Sequence, residues 1–127
     1  MGQDLKLTAR ALVCAALGAA LASCGSPAAD AQNRADGVTK AVYNDDGAAV
    51  TQDFDSALKQ KVSRAQVGLL SDKLHKLGDY KGLTYVSNDG LKNEYTYRAN
   101  FSGGSAPVIV RFDSDGKIAA YRITLAQ

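Results

Sequence analysis

The fold is decided by residues 93–125, whose sequence is NEYTYRANFSGGSAPVIVRFDSDGKIAAYRITL. Within this stretch three segments alternate apolar and polar residues, and short runs of glycine, serine and aspartate separate them. Alternation with a period of two is typical of a strand with one buried face, and short turns join antiparallel neighbours. The pattern predicts strands over 93–101, 107–112 and 117–125, preceded by a strand over 81–87 that ends at an Asn88-Asp89-Gly90 turn.

Each of the last three predicted strands has an inner and an outer face. The alternation assigns the large apolar and aromatic residues to the inner face and most of the polar residues to the outer face. The predicted inner residues are Tyr95, Tyr97, Ala99, Phe101, Val108, Val110, Phe112, Ala119, Tyr121, Ile123 and Leu125.

Residues 35–78, which precede the strands, show helical spacing instead. The spacing predicts helices over 35–43 and 48–61, and a third helix that begins at Ser63, where Gln66 completes a capping box. The apolar stripe of this third helix is Val67, Leu70, Leu74 and Leu77, with Gly78 as its C-terminal cap. Helices followed by strands predict an α+β domain in which N-terminal helices pack on a four-stranded antiparallel meander sheet.

The N-terminal residues have the pattern of a targeting segment. Lys6 and Arg10 precede an uncharged run over 11–22, which at 12 residues is shorter than the roughly 20 that a membrane-spanning helix needs. The run ends in Leu21-Ala22-Ser23-Cys24, which resembles a bacterial lipobox. The resemblance implies a signal peptide over 1–23, diacylglycerol on the Cys24 sulfur, and cleavage before Cys24. An ordinary secretory signal and an uncleaved anchor are the alternatives.

The two cysteines agree with this interpretation. Cys14 leaves with the signal peptide and Cys24 becomes a thioether, so the mature chain has no thiol for a disulfide, a metal site or a nucleophile. Residues 24–34 are small and polar and predict a flexible tether, after which 35–127 form the domain. We expect anchoring in the cell envelope: the periplasmic face of the outer membrane in a Gram-negative source, otherwise the outer face of the cell membrane.

Composition narrows the class of partner. The chain has 15 Lys and Arg against 13 Asp and Glu, a net charge of +2, which is not the basic excess of a nucleic-acid-binding protein. A hydrophobic content of 46% is typical of a folded domain. We therefore expect no nucleic-acid partner, and the sequence calls for no cofactor.

Three motifs within 35–125 resemble a known family: FDSALK at 54–59, GDYK at 78–81 and VRFDSDGKI at 110–118. In this order they are similar to a small uncharacterised bacterial domain of the nuclear-transport-factor-two-like superfamily. The resemblance implies a cystatin-like cone in which the concave sheet face and the helices enclose a pocket. It also implies that two copies pair through the open sheet face in a homodimer.

Aromatic residues are the main candidates for a binding site. On the resemblance, tyrosines that line the pocket hold an apolar or planar ligand and hydrogen-bond its polar end; the alternative is that they fill the core. The candidate pocket residues are Phe54, Tyr85, Tyr95, Tyr97 and Tyr121.

The remaining polar motifs have simpler interpretations. His75 is the only histidine and lies at the edge of the third helix, where we expect a structural, exposed side chain. Asp113-Ser114-Asp115-Gly116 resembles the opening of a calcium loop, but strand residues follow it, so a hairpin turn is predicted and no metal site. Asp45-Asp46-Gly47 is interpreted as a helix break and cap, and the four acids at 45, 46, 53 and 55 together as a solvated helical face. Arg98, Arg111 and Arg122 are predicted to share the outer sheet face, exposed to solvent or facing an anionic partner.

Two classes of function follow. The first is a noncatalytic envelope module that holds a small apolar ligand or an envelope protein. The second is a small pocket enzyme of isomerase, dehydratase or hydrolase type, for which Asp53 or Asp55 in a deep cavity would supply the acid. Because the sequence contains no complete catalytic constellation, the first class is favoured.

Overall fold

The structure, a computed structural model, describes residues 27–125. The contacts divide the chain into two units, residues 1–31 and 32–127, so that the sheet and every helix after the first belong wholly to the second unit. The predicted signal peptide and Cys24 lie outside the described residues. The elements in chain order are α1 (Pro27–Tyr43), α2 (Gly47–Thr51), α3 (Ser56–Lys61), α4 (Arg64–His75), β1 (Tyr80–Asp89), β2 (Glu94–Phe101), β3 (Gly104–Phe112) and β4 (Ile118–Ile123).

The four strands form one antiparallel sheet in the order β1-β2-β3-β4. Helices followed by this meander confirm the predicted α+β class. The inner face is as predicted along β2 and β3: Tyr97, Ala99, Val108 and Val110 are all buried. Ser102 and Gly103 alone join β2 to β3. A Cβ at Gly103 would lie 2.8 Å from the Leu77 carbonyl oxygen, so glycine there allows the turn to lie close to the end of α4.

Helix α1 begins at Pro27, eight residues before the predicted start. Residues 27–34 are therefore helical where the sequence predicts a tether. Proline is favoured at the first helical position, and the alanines that follow have the highest helix propensity although they give little apolar signal. Further along, Ala35, Val38 and Val42 are buried and continue the helical period.

Helix α1 is held to β1 and to the β3–β4 turn by side chains. At β1, the Gln32 amide donates to the Leu83 carbonyl at 3.1 Å. At the β3–β4 turn, Arg34 donates to the Gly116 carbonyl at 2.6 Å. Residues 32–43 therefore lie across the inner face, and the space between helix and strands decides where a ligand could enter.

The predicted helix over 48–61 is two helices, α2 and α3, and an aspartate caps the start of each. The Asp46 carboxylate accepts from the Ala49 N–H and the Asp55 carboxylate accepts from the Leu58 N–H. Between the helices, Phe54 forms a short parallel bridge with Ile118: the Asp55 N–H donates to the Ile118 carbonyl at 2.8 Å, and the Ile118 N–H donates to the Asp53 carbonyl at 2.7 Å.

Helix α4 has the predicted start, but it ends at His75 with Lys76 as its C-cap, before the predicted cap Gly78. The Ser63 hydroxyl accepts from the Gln66 N–H, and the Gln66 side chain accepts from the Ser63 N–H, so the capping box is confirmed. Gly78 follows the helix with φ +104°, and a Cβ there would lie 2.0 Å from the Ser102 hydroxyl oxygen. Glycine at this position therefore lets the helix end against the β2–β3 turn.

Bulges change the inner face at two strands. Arg111 pairs with Ala120 and Phe112 with Ile118, so Ala119 is an extra residue, and the predicted inward position of Ala119 is taken by the fully buried Ile118. Strand β1 has two further irregularities, between Tyr80 and Gly82 and between Tyr85 and Ser87. Such bulges increase the twist and bend of a strand.

Candidate functional site

Three of the predicted pocket tyrosines lie together on the inner face near the β1–β2 turn. Tyr85 is the cross-strand partner of Tyr97, and their ring centres are 6.3 Å apart. Tyr95 lies two residues before Tyr97 on the same face, with ring centres 6.3 Å apart and rings nearly parallel. Phe112 of β3 extends the group, at 5.9 Å from Tyr95. We call these four residues the aromatic cluster.

The hydroxyl of Tyr97 lacks a hydrogen-bond partner. The Tyr97 side chain is only 1% exposed. Among the buried side-chain nitrogen and oxygen atoms of residues 27–125, its hydroxyl oxygen is the one without a hydrogen-bond partner. Burial, followed by the neighbouring Tyr95 and Tyr85, raises the pKa of Tyr97 to about 12. Tyr85 differs: it is 48% exposed and its hydroxyl donates to the Asn88 side-chain oxygen at 2.8 Å. The cluster thus combines an exposed ring with a buried, unsatisfied hydroxyl.

The other two candidates, Phe54 and Tyr121, lie elsewhere, where the helices meet β4. They border a cavity of about 130 Å³, which is below the roughly 300–1,000 Å³ of ligand pockets. The Tyr121 hydroxyl is 2.7 Å from the Thr39 hydroxyl, and burial raises the Tyr121 pKa. No acidic or basic side chain lines this cavity in the described part of the chain. The structure therefore does not bring the five candidates into one pocket, and a ligand site on them stays a prediction.

A polar contact that the sequence did not predict joins α1 to β1. The Tyr80 hydroxyl donates to the Asp36 carboxylate at 2.6 Å, and Lys40 lies 3.1 Å from the other oxygen of the same carboxylate. Burial, then the bond to Asp36, raises the pKa of Tyr80 above its usual range. A lone Asp and a lone Tyr 44 residues apart in sequence give no signal of this pairing.

His75 is exposed at the end of α4, as predicted, but it has two defined contacts. Its ring stacks on Tyr43 with centres 4.0 Å apart. Its Nδ1 is 2.8 Å from the Ser71 carbonyl oxygen, and because a carbonyl only accepts, Nδ1 carries a proton. Both contacts are structural, and neither provides the partner carboxylate that a general base needs.

The predicted helix break and cap at Asp45-Asp46-Gly47 is confirmed, but the acids at 45, 46, 53 and 55 do not share one solvated helical face. Asp46 and Asp55 cap helices, and Asp45, with φ +57°, forms an ion pair with Arg64 at 3.0 Å. Asp53 borders an open depression beside α1 and not the cavity of Phe54 and Tyr121. Neither Asp53 nor Asp55 is therefore placed as the acid of a pocket enzyme.

The Asp113 loop is a hairpin turn. The Asp113 carboxylate accepts from the backbone N–H groups of Asp115 and Lys117, both at 2.9 Å, and Gly116 has φ +80°. Between residues 27 and 125, no group of three or more His, Cys, Asp or Glu residues is placed to hold a metal ion.

Comparison with family models, with curated proteins and with solved structures found no match to this chain. Within residues 27–125, none of the helices combines the length and the hydropathy that crossing a bilayer requires. The site must therefore be interpreted from its own residues.

Replacing Tyr97 by phenylalanine is expected to preserve or raise the free energy of unfolding at neutral pH, by up to about 1 kcal/mol, because a buried hydroxyl without a partner is unfavourable. Tyr121→Phe is the matched control: it removes a hydroxyl that does have a partner, Thr39, and should lower the free energy of unfolding by about 1 kcal/mol. Urea unfolding measures both. A loss of stability in Tyr97→Phe would show that its hydroxyl has a partner.

The same variant tests the raised pKa. Folding raises the pKa of Tyr97 from 10.0 to about 12. The free energy of unfolding is therefore independent of this group below pH 10, and it falls as pH rises from 10 towards 12, where the unfolded chain ionises first. Between about pH 8 and about pH 11, Tyr97→Phe should therefore lose less stability than the unmodified chain. Equal losses in both proteins would contradict the burial of this hydroxyl.

Proposed function

We propose that this chain is a lipid-anchored, noncatalytic binding module of the cell envelope, with diacylglycerol on Cys24 and a cystatin-like cone of the nuclear-transport-factor-two-like superfamily as its domain. The lipobox-like sequence supports the anchor. The bulged strands and the helix across the inner face of the sheet support the cone, because bulges bend a sheet around what it covers.

The observation that carries the noncatalytic proposal is that ionisable side chains cap helices or make hydrogen bonds within the fold. Asp46 and Asp55 cap helices, Asp36 accepts from Tyr80, and the Nδ1 of His75 faces a backbone carbonyl. Catalysis of the isomerase, dehydratase or hydrolase type needs an acid or base that faces a substrate in a cavity. The cavity between the helices and β4 offers no such group.

A protein component of the envelope is the partner that we favour, since the interior space is small. A small ligand is the second candidate, and it rests on Tyr97. A ligand acceptor group beside this residue would satisfy its buried hydroxyl, while the rings of Tyr85 and Tyr95 would cover the apolar part of the ligand.

The test is a crystal structure of the protein isolated from the membranes of its own host. We expect the space between helices and sheet to contain no organic molecule. An ordered molecule that contacts the aromatic cluster would replace the protein partner with a small ligand. A substrate-like molecule enclosed beside Phe54 and Tyr121 would contradict the noncatalytic proposal and favour the pocket enzyme.

A further inference from the structure

The hairpin that joins β1 to β2 has an exposed apolar end. Residues 84–93 are all exposed, and they include three of the four large apolar side chains that are exposed within residues 27–125. Tyr85 and Val86 are each 48% exposed and Leu91 is fully exposed, whereas the fourth, Leu69, lies on α4. Exposed apolar side chains that are grouped in this way mark a surface that contacts a protein or a membrane. We call residues 85–91 the hairpin tip.

The turn at the hairpin tip holds Leu91 in an ordered backbone. The Asp89 carboxylate accepts from the Leu91 N–H at 3.1 Å and from the Lys92 N–H at 3.4 Å. The Lys92 N–H also lies 3.2 Å from the Asp89 carbonyl oxygen. Because the turn is already ordered, a contact made by Leu91 costs little further conformational entropy.

Helix α1 connects this end of the sheet to the opposite end. The Tyr43 hydroxyl donates to the Gly78 carbonyl, beside the β2–β3 turn. Gln32 is bonded to Leu83 of β1, and Arg34 is bonded to the β3–β4 turn. In an antiparallel meander the β1–β2 and β3–β4 turns lie at one end and the β2–β3 turn at the other. Followed back from Tyr43 to Gln32, the helix therefore runs towards the end that carries the hairpin tip.

The length of chain before Gln32 brings the proposed lipid attachment within range of the same end. Five residues of α1 precede Gln32 and rise about 7.5 Å, and three further residues, which span at most about 10 Å, lead back to Cys24. From Leu83 to Asp89, β1 continues for six residues, or about 20 Å. Because the two lengths are similar, a bilayer that holds Cys24 can also contact the hairpin tip.

Charge does not supply the attraction at this end of the sheet. Its side chains over 89–94 and 111–117 carry both signs: Asp89, Glu94, Asp113 and Asp115 against Lys92, Arg111 and Lys117. Such a surface has no basic excess for anionic lipid headgroups. A membrane contact here would therefore be apolar, and salt should not remove it.

We propose that the hairpin tip lies on the bilayer that anchors this chain, with Leu91 inserted at the boundary between headgroups and acyl chains and with Val86 and the Tyr85 ring beside it. A free protein partner would need an interface of roughly 20–30 residues a side, whereas a tethered chain needs only a small contact, because the tether makes the contact intramolecular. The inference rests on the proposed anchor and adds an orientation, in which the β2–β3 turn faces away from the membrane.

The test uses tryptophan as a reporter, because the chain has none of its own. The full chain with Leu91→Trp is isolated from the membranes of its host and reconstituted at no more than one molecule per phosphatidylcholine vesicle. Lipid with brominated acyl chains should quench most of its fluorescence, at low and at high salt alike. Leu69→Trp is the matched control, since it places the same ring at a site that is 64% exposed on α4. The control should be quenched by acrylamide in the water and not by the brominated lipid.

Three results would overturn the proposal. The first is a Leu91→Trp variant that the lipid quenches no better than Leu69→Trp. The second is quenching that high salt abolishes, which would assign the contact to charge. The third is quenching that appears only at several molecules per vesicle, which would assign the hairpin tip to a second copy of the chain.

Mass spectrometry of Cys24 in the same sample tests the anchor separately. Quenching of Leu91→Trp in a vesicle-bound chain without lipid on Cys24 would contradict the lipid anchor and support the membrane contact. Lipid on Cys24 without this quenching would support the anchor and contradict the membrane contact.

Discussion

Replacing Cys24 by serine is expected to remove the protein from the membrane fraction of its host. A hydroxyl is a poorer nucleophile than a thiolate at neutral pH, so the serine variant should not accept diacylglycerol. Several acyl chains, at about 0.8 kcal/mol for each buried CH₂, hold a lipoprotein on a bilayer almost permanently. The variant should therefore accumulate as the precursor or appear in the soluble fraction, which fractionation and immunoblotting measure.

The chain contains its own control for this experiment. Cys14 lies in the apolar run of the predicted signal peptide and should have no acceptor role. Cys14→Ser should be processed normally and should take up a fatty-acid analogue as the unmodified chain does. Uptake of the analogue by Cys24→Ser, or loss of uptake in Cys14→Ser, would contradict the assignment of the lipid to Cys24.

Replacing Phe54 by alanine is expected to lower the free energy of unfolding by about 3–5 kcal/mol, the range for truncation of a large aromatic core residue. Phe54 is only 3% exposed, and its backbone bridges to Ile118 between two short helices. Truncation would also enlarge the neighbouring cavity of about 130 Å³, which α2, α3 and α4 all border. Loss of this ring should therefore loosen the contact of three helices with β4.

Leu91→Ala is the control for this truncation, because Leu91 is fully exposed in the β1–β2 turn. Its effect should stay within about 0.5 kcal/mol. Thermal and urea unfolding measure both variants. An unchanged melting temperature in Phe54→Ala would mean that the ring is accessible to solvent, and Phe54 would then belong to a binding surface.

The predictions that held depend on signals within a few residues of one another. Tyr97 and Val108 were placed on the inner face by alternation, and the Ser63–Gln66 capping box was visible in four consecutive residues. The sheet order follows because turns of two to five residues leave antiparallel neighbours as the only connection. These features required no information about tertiary contacts.

The predictions that failed depend on contacts between residues far apart in sequence. The helix over 48–61 is interrupted because Phe54 pairs with Ile118, more than sixty residues later. The bulge at Ala119 puts Ile118 on the inner face, and a single extra residue leaves alternation almost unchanged. The Asp36–Tyr80 contact was missed for the same reason, because it joins α1 to β1.

The central claim, that this domain is anchored through lipid on Cys24, is tested most directly by mass spectrometry of the protein isolated from the membranes of its host. We predict an N-terminal peptide that begins at Cys24 and carries the mass of a diacylglyceryl group on its sulfur. A chain that begins at any other residue, or an unmodified Cys24 thiol in the membrane-bound protein, would contradict the claim.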